Sequence, residues 1–480
     1  MPLGGLSRRE ALRSGACGFG HLALLGMLDS VGRADEPVSP GSSDERGPLS
    51  SRKPHFKPRA KRVIFLFMHG GVSHVDSFDP KPELDKWHGK KRPGETPLSF
   101  DNLDGTLMKS PWEFRRYGKS GLPVSDLWPH LGSVVDEVAF IRSMHVEQVD
   151  HGGAVLQLHT GSAVFPRPSM GSWLVYGLGS QNANLPGFIT ISPQLYHGSS
   201  QNYSSGFLPA EYQGTPFGET NTPAKVAGFQ NLRPLTPLTE LQRLQLDFAR
   251  RANLKHFELA SDDARLQARI EAYELAFRMQ TAAPETTDIS GEPQDVLDLY
   301  GIDQPSTDDF GRQCLLARRF AERGVRFVQC SHSYKWDQHG SIRGDHARNA
   351  AEVDKPIAGL IKDLKRRGML EDTLVLWGTE FGRTPITQGK LADRDKVGRD
   401  HNPYGFTLWM AGGGVKGGIA YGATDDFGYF AEENPVSMYD LHATVLHLLG
   451  LDHTQLTYRY SGRDFRLTDV FGRVVQDVIA

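Results

Sequence analysis

Short, unbroken apolar runs alternate with longer amphipathic stretches along this chain. Val63–Met68 is apolar at every position and ends at His69-Gly70-Gly71. A run of that length without polar alternation predicts a strand buried on both faces. Shorter, largely apolar runs recur at Val138–Ile141, Gly187–Ile191, Val325–Gln329, Thr373–Trp377 and Phe406–Met410. Phe310–Arg323 and Ala347–Arg367 place apolar residues at helical spacing ahead of two of these strands. Strands and helices in alternation predict a three-layer αβα sandwich around a mostly parallel central sheet. Residues 237–283 carry leucines, alanines and charges at helical spacing without a strand signal, and predict a helical insertion, a candidate cap beside the site. Met438–Gly450 predicts an amphipathic helix closed by glycine, with Asp440 in its first turn, where a negative charge suits the helix dipole. Its His442 and His447 are five apart, not the four of a helical metal pair, so both are expected to be structural.

The N-terminus follows a different rule. Arg8-Arg9 precedes a short, glycine-containing apolar stretch and then small residues up to Ala34. Residues 1–34 therefore predict a twin-arginine export signal and a periplasmic or extracellular protein. A buried amphipathic helix is the alternative, and an apolar run uninterrupted by charge argues against it. Residues 35–60 hold five prolines with serines and scattered charges, which predicts a solvated, disordered linker. The domain proper is expected over 61–480.

Composition narrows the function classes. Basic and acidic residues number 54 and 57, a net charge of -3, which gives no reason to expect a nucleic-acid partner. Three cysteines exclude a disulfide scaffold and a cysteine-based zinc fold. Cys314 and Cys330 remain after signal cleavage, either as a pair or as two buried thiols. Past the export signal no run of 18 apolar residues occurs, so no transmembrane segment is expected in the mature protein. Oligomeric state has no signature. The 18 histidines carry most of the remaining information.

Many of them follow predicted strands, where ligands of open α/β sheets bind. His69, Ser73, His74, Asp76 and Asp79 follow the first strand, and Asp150 and His151 the second at a distance. His332, Asp337, His339, Asp345 and His346 follow the fourth, and Glu380 and Arg383 the fifth. Asp400 and His401 precede the sixth. Imidazoles and carboxylates on several rigid supports are what a hard or borderline divalent metal requires. Trp336-Asp337-Gln338-His339 can present two donors to one ion, or form an Asx-type turn. Glu380 can bind metal and Arg383 can clamp an anionic oxygen, or the two can form a buried ion pair.

Three sets of residues carry a family resemblance: the run from Gly70 to Pro82, the two motifs Trp336-Asp337-Gln338-His339 and Glu380-Phe381-Gly382-Arg383-Thr384-Pro385, and Asp400-His401-Asn402-Pro403 with the glycine-rich 411–418. Together they resemble the bacterial domain-of-unknown-function 1501 family, exported members of the alkaline phosphatase and sulfatase superfamily, over nearly all of 61–480. The resemblance implies an alkaline-phosphatase-like fold and one or two divalent metals, with zinc first and calcium, manganese or iron as alternatives. It implies Asp76, Asp337, His339, Glu380 and His401 as metal ligands. Phe381 stands where the superfamily has a histidine ligand, and His69 where it has an aspartate. His151 stands at the nucleophile position, as nucleophile, general acid or base, or ligand, with Ser73 as a substitute nucleophile and Arg383 as the clamp. No cysteine matches the sulfatase nucleophile. Two readings follow: a metal-dependent hydrolase of small-molecule or glycan phosphate or sulfate esters, and a non-catalytic relative that binds an anionic glycan or a partner protein.

Overall fold

The computed structural model describes residues 49–94, 104–230 and 264–480, with a few single positions between 231 and 263. The expected export signal, the expected linker up to 48 and the first part of the expected insertion lie outside the described residues.

The strands that position the site are β1 (Arg62–Met68), β2 (Val138–His145), β3 (Phe188–Ile191), β4 (Thr215–Phe217), β5 (Phe327–His332), β6 (Thr373–Gly378), β7 (Gly382–Gln388), β8 (Gly398–Asn402), β9 (Phe406–Ala411), β10 (Ile419–Tyr421) and β11 (Val436–Ser437). All but β7 and β8 form one nine-stranded sheet in the order β10-β2-β9-β6-β1-β5-β3-β4, with β11 also on β2. β1 runs parallel to β5 and β6, and β3 runs parallel to β5 and β4. β9 is antiparallel to both β2 and β6. The start of β9 therefore lies at the edge where the parallel strands end, which brings the residues before it into the same region. β7 and β8 form a separate antiparallel hairpin that pairs Arg383 with His401.

Side-chain alternation along β1 builds the layers. Ile64, Leu66 and Met68 join one buried core with residues of helices α3 (Ala264–Thr287), α4 (Asp308–Glu322) and α5 (Ile342–Arg366). Val63, Phe65 and Phe67 join the other with residues of α1 (His151–Thr160), α2 (Met170–Leu178) and α6 (Met438–Leu448). Both faces of the sheet are thus covered, and the three-layer αβα sandwich follows. Each fully buried aliphatic or aromatic side chain contributes on the order of 1.5–3 kcal/mol of transfer free energy, so the two cores dominate the stabilising side.

Three expectations change. The fourth strand starts two residues later, because the Val325 N–H donates to Phe320 O at the end of α4 (3.0 Å). The described part of the insertion is no cap: Met279 and Ala283 of α3 are buried in the first core. Residues 49–60 are not a solvated linker. Arg52 N donates to Leu178 O (2.9 Å), and Arg59 N and Ala60 N both donate to Leu448 O (2.8 Å each). This strap satisfies carbonyls that the ends of α2 and α6 leave without intrahelical partners, a role that composition cannot reveal. In α6, Ser437 and Asp440 make a reciprocal capping box. His442 is buried against Leu158 O (2.7 Å) and His447 packs on Phe56, both structural as expected. Cys314 and Cys330 are two buried free thiols. Among the described residues, no helix is long and apolar enough to cross a membrane.

Candidate metal centre

At the carboxyl edge of the sheet, side chains from four segments meet at Asp337. His339 Nε2 lies 3.0 Å from Asp337 Oδ1, His151 Nε2 3.2 Å and His401 Nε2 3.3 Å. His339 Nε2 and His401 Nε2 are themselves 3.0 Å apart. The far side of each ring is held. His151 Nδ1 faces Glu380 Oε1 at 2.6 Å, His339 Nδ1 faces Gln388 Oε1 at 2.7 Å, and His401 Nδ1 faces Val149 O at 2.7 Å. Each of these partners accepts a hydrogen bond, so each Nδ1 carries the proton and each neutral ring turns an Nε2 lone pair inward. Three lone pairs and a carboxylate oxygen then converge with no proton between them. His151 Nε2 is buried without a well-formed hydrogen bond.

This donor set fits a divalent cation. Tetrahedral coordination at zinc–ligand distances near 2.0–2.1 Å puts neighbouring ligand atoms about 3.3 Å apart; Asp337 Oδ1 lies 3.0 to 3.3 Å from the three rings and His339 lies 3.0 Å from His401, and His151, Asp337 and His401 lie close enough together to form one candidate ligand set. Asp400, fully buried, lies behind the cluster with Oδ1 3.7 Å from His339 Nδ1. His339, Asp400 and His401 also lie close enough together to form a second candidate ligand set.

Charge leads to the same conclusion. Asp337 faces one guanidinium, Arg383, whose Nη2 lies 2.6 Å from its Oδ1, and Glu380 lies against His151 and His69. In the metal-free protein burial acts to raise the Asp337 carboxyl, but with protons on the imidazoles that face it their hydrogen bonds and the charge of Arg383 outweigh it and hold it far below the usual carboxylate range. Burial is likewise overcome at Glu380, which His151 and His69 hold down at about 2. Without a metal, His151 is pushed up by Asp337 and Glu380 against its burial, and His339 is pushed up by Asp337. The cluster thus takes up positive charge as protons where a cation would supply it.

Local structure explains the convergence. Gly70, just past β1, has φ of +124°, and a Cβ there would come within 2.5 Å of Asp337 N. Only glycine lets the chain pass so close. Gly70 N donates to both Glu380 oxygens (2.9 and 3.1 Å) and Thr379 Oγ1 donates to Glu380 Oε2 (3.1 Å). His151 opens α1, where the Asp150 side chain caps Gly153 N. Tyr334 donates its hydroxyl to Asp337 Oδ2. A register shift in β8 separates Arg399 from His401. Bulges re-aim side chains in this way, and here Arg399 pairs with Asp76 while His401 joins the cluster.

The sequence matches the family model described as "protein of unknown function (DUF1501)" over residues 60–479. The chain belongs to the DUF1501 family. No curated protein matches it in sequence. Similar solved structures include the PsFucS1 sulfatase from Pseudoalteromonas sp., at 14% identity and TM-score 0.35, covering 82% of this chain and 68% of that one. Another is the lipoteichoic acid synthase LtaP from Listeria monocytogenes, at 12% identity and TM-score 0.36, covering 87% and 78%. A third is the alkaline phosphatase of the Antarctic bacterium TAB5, at 10% identity and TM-score 0.28, covering 76% and 95%.

In this DUF1501 chain the expected site residues divide. His151, Asp337, His339 and His401 come together at the cluster. Glu380 touches it only through His151, because the Gly70 N–H and the Thr379 hydroxyl occupy its oxygens. Asp76 is not brought to the cluster. Arg399 Nε and Nη2 hold its two oxygens at 2.7 and 3.1 Å. Ser73, fully buried, donates to the same carboxylate (2.6 Å) and is not placed as a nucleophile. Arg383 is fully buried, with Nε on Gly71 O (2.9 Å), Nη1 on Arg399 O (3.3 Å) and Nη2 on Gly70 O and Asp337. The expected anion clamp is instead a counter-charge to Asp337. Phe381 packs its ring 4.7 Å from His151 and 4.5 Å from His401, an apolar wall behind both imidazoles. His197 was missed by the sequence reading: its Nδ1 lies 3.0 Å from His69 Nε2 and its ring stacks on His151 at 5.0 Å. It follows β3 by six residues, so the strand-end rule applied to the third strand would have found it.

Proposed function

We propose that this protein is an exported, metal-dependent hydrolase of phosphate or sulfate esters, with zinc as the metal its donor set suits best. The observation that carries the reading is the inward convergence of three Nε2 lone pairs on Asp337 Oδ1, each ring fixed from behind by its own acceptor. A scaffold gains nothing from three neutral imidazoles aimed at one carboxylate oxygen. His151, Asp337, His339 and His401 would hold the ion. A divalent metal bound there supplies a Lewis acid that stabilises charge on the transferring group and makes water more acidic. The chain's own residues do the rest. Glu380 and Val149 O fix the His151 and His401 tautomers. Arg383 neutralises part of Asp337, and Phe381 keeps water from the backs of the rings. With Ser73 committed to Asp76 and His151 turned inward, water is the attacking group. His197, half-buried and held neutral chiefly by burial, would take its proton.

The missing hydroxyl nucleophile is the one feature that favours the other reading, a non-catalytic protein binding an anionic glycan or a partner. Metal analysis of protein purified without a metal-binding tag separates the two. The expected result is one or two equivalents of metal, lost in His339→Ala and His401→Ala along with ester hydrolysis, while both variants stay folded. Folded protein that is metal-free and takes up none on titration would sink the hydrolase.

A further inference from the structure

A cavity of about 340 Å³ opens beyond the ends of β3, β4 and β5. Ser192 and Gln194 line it after β3, Asn221 and Thr222 after β4, and Ser331 and Ser333 at the end of β5. Two of these segments also reach the metal cluster. Ser333 and Lys335 face the cavity, and Tyr334 between them bonds Asp337 and packs on His151. Likewise Gln194 faces the cavity, and His197 three residues on stacks on His151. The same two segments thus reach both the cavity and the cluster.

Its chemistry is specific. Hydroxyl and amide side chains dominate, and its one lysine is already paired. Lys335 Nζ is 2.8 Å from Glu352. His332 Nδ1 accepts from Trp336 Nε1 (2.9 Å), and burial holds the ring neutral, so its Nε2–H donates to Glu352 (2.8 Å). Asp309 adds a negative charge. No cation in the lining is left to receive an anion. Gln194 is 4% exposed; its Nε2 donates to Ser192 O (3.2 Å), and its Oε1 is buried with no partner among the described residues. An unpaired buried acceptor among hydroxyls and amides calls for a ligand hydroxyl.

We propose that this cavity binds a neutral, polyhydroxylated group, a sugar unit, and that it holds the alcohol side of the ester whose anionic group reaches the metal cluster. The second clause rests on the hydrolase reading; the first does not. The test is ligand-observed NMR titration of the full protein, metal-loaded and metal-stripped, with the neutral methyl glycosides of glucose, galactose, mannose and fucose, and with sodium sulfate and phosphate as anion probes. Saturable binding of at least one glycoside is expected in both forms. It should weaken about tenfold in Gln194→Met, and comparably in Ser333→Leu, at unchanged melting temperature. Three results would each overturn the proposal: no glycoside saturates, both variants bind as the wild type does, or the inorganic anions displace the glycoside from metal-stripped protein. Glycoside binding by a protein that turns over no ester would leave the cavity assignment standing and remove the hydrolase.

Discussion

Residue identity alone does not separate Asp76 from Asp337. Both are acidic, both follow strands, and both pair with an arginine. Partner geometry separates them. Arg399 takes both oxygens of Asp76, while Arg383 meets only Oδ1 of Asp337, the same oxygen three imidazoles approach. Burial pushes the Asp76 carboxyl up, but Arg399 outweighs it and holds the group ionised. Removing one partner of a fully buried pair leaves the other charge uncompensated, at a cost of about 3–5 kcal/mol. Asp76→Asn is therefore expected to lower unfolding free energy by about 3 kcal/mol with metal stoichiometry unchanged. Denaturant titration beside metal analysis reads both, and metal loss at wild-type stability would return Asp76 to the ligand set.

At the scale of elements, the β7–β8 hairpin is the organiser. It lies outside the main sheet, yet it supplies Arg383 and His401 and backs the loop that carries Asp337 and His339. Gly398 in β8 is the point of contact. A Cβ there would sit 2.2 Å from the His339 carbonyl carbon and 2.4 Å from Gly340 N. Both are backbone atoms, so the loop would have to move. Gly398→Ala is expected to displace His339 from His401 and weaken metal binding at least tenfold, leaving the nine-stranded sheet intact. Metal titration with far-UV circular dichroism checks this, and wild-type affinity would show that the hairpin does not set the loop. Asp150→Ala, by contrast, removes only an N-cap of α1, worth about 1 kcal/mol.

For the molecule as a whole, buried histidines set the acid limit. Burial holds His69, His159, His346 and His442 at about 4, below the ordinary 6.5. Between those values the unfolded chain binds protons that the native state does not, so stability falls as pH drops from 6.5 to 4. Asp354 opposes this. Burial raises it to about 7, although the His130 and Leu131 N–H groups act to lower it, so its contribution to stability grows as pH falls toward 4. Four groups outweigh one. The net difference of up to three protons gives a slope on the order of 4 kcal/mol per pH unit at its steepest. Denaturant unfolding across pH 4–7 should show a steep loss toward the acid end. A flat profile would mean that these histidines titrate normally in the fold.

The sequence by itself determined the sandwich, because buried strands must be apolar on both faces and the helices between them must carry a stripe. The runs at Val63–Met68, Thr373–Trp377 and Phe406–Met410 placed three adjacent strands, and the motifs identified the family. The strand-end rule also brought His151, Asp337, His339 and His401 into consideration, because a parallel sheet gathers its strand ends at one edge. Only the tertiary structure decided which donors share a point. A hydrogen bond or a coordination shell depends on a few tenths of an ångström and on which atom of a ring faces inward. Those are set by contacts far apart in the chain: Gly70 against Asp337, Arg399 against Asp76, Glu380 behind His151. The same holds for residues 49–60, whose composition is that of a linker and whose backbone caps two distant helices. Local pattern fixes periodicity and burial, whereas partner choice among polar groups is a long-range outcome of packing.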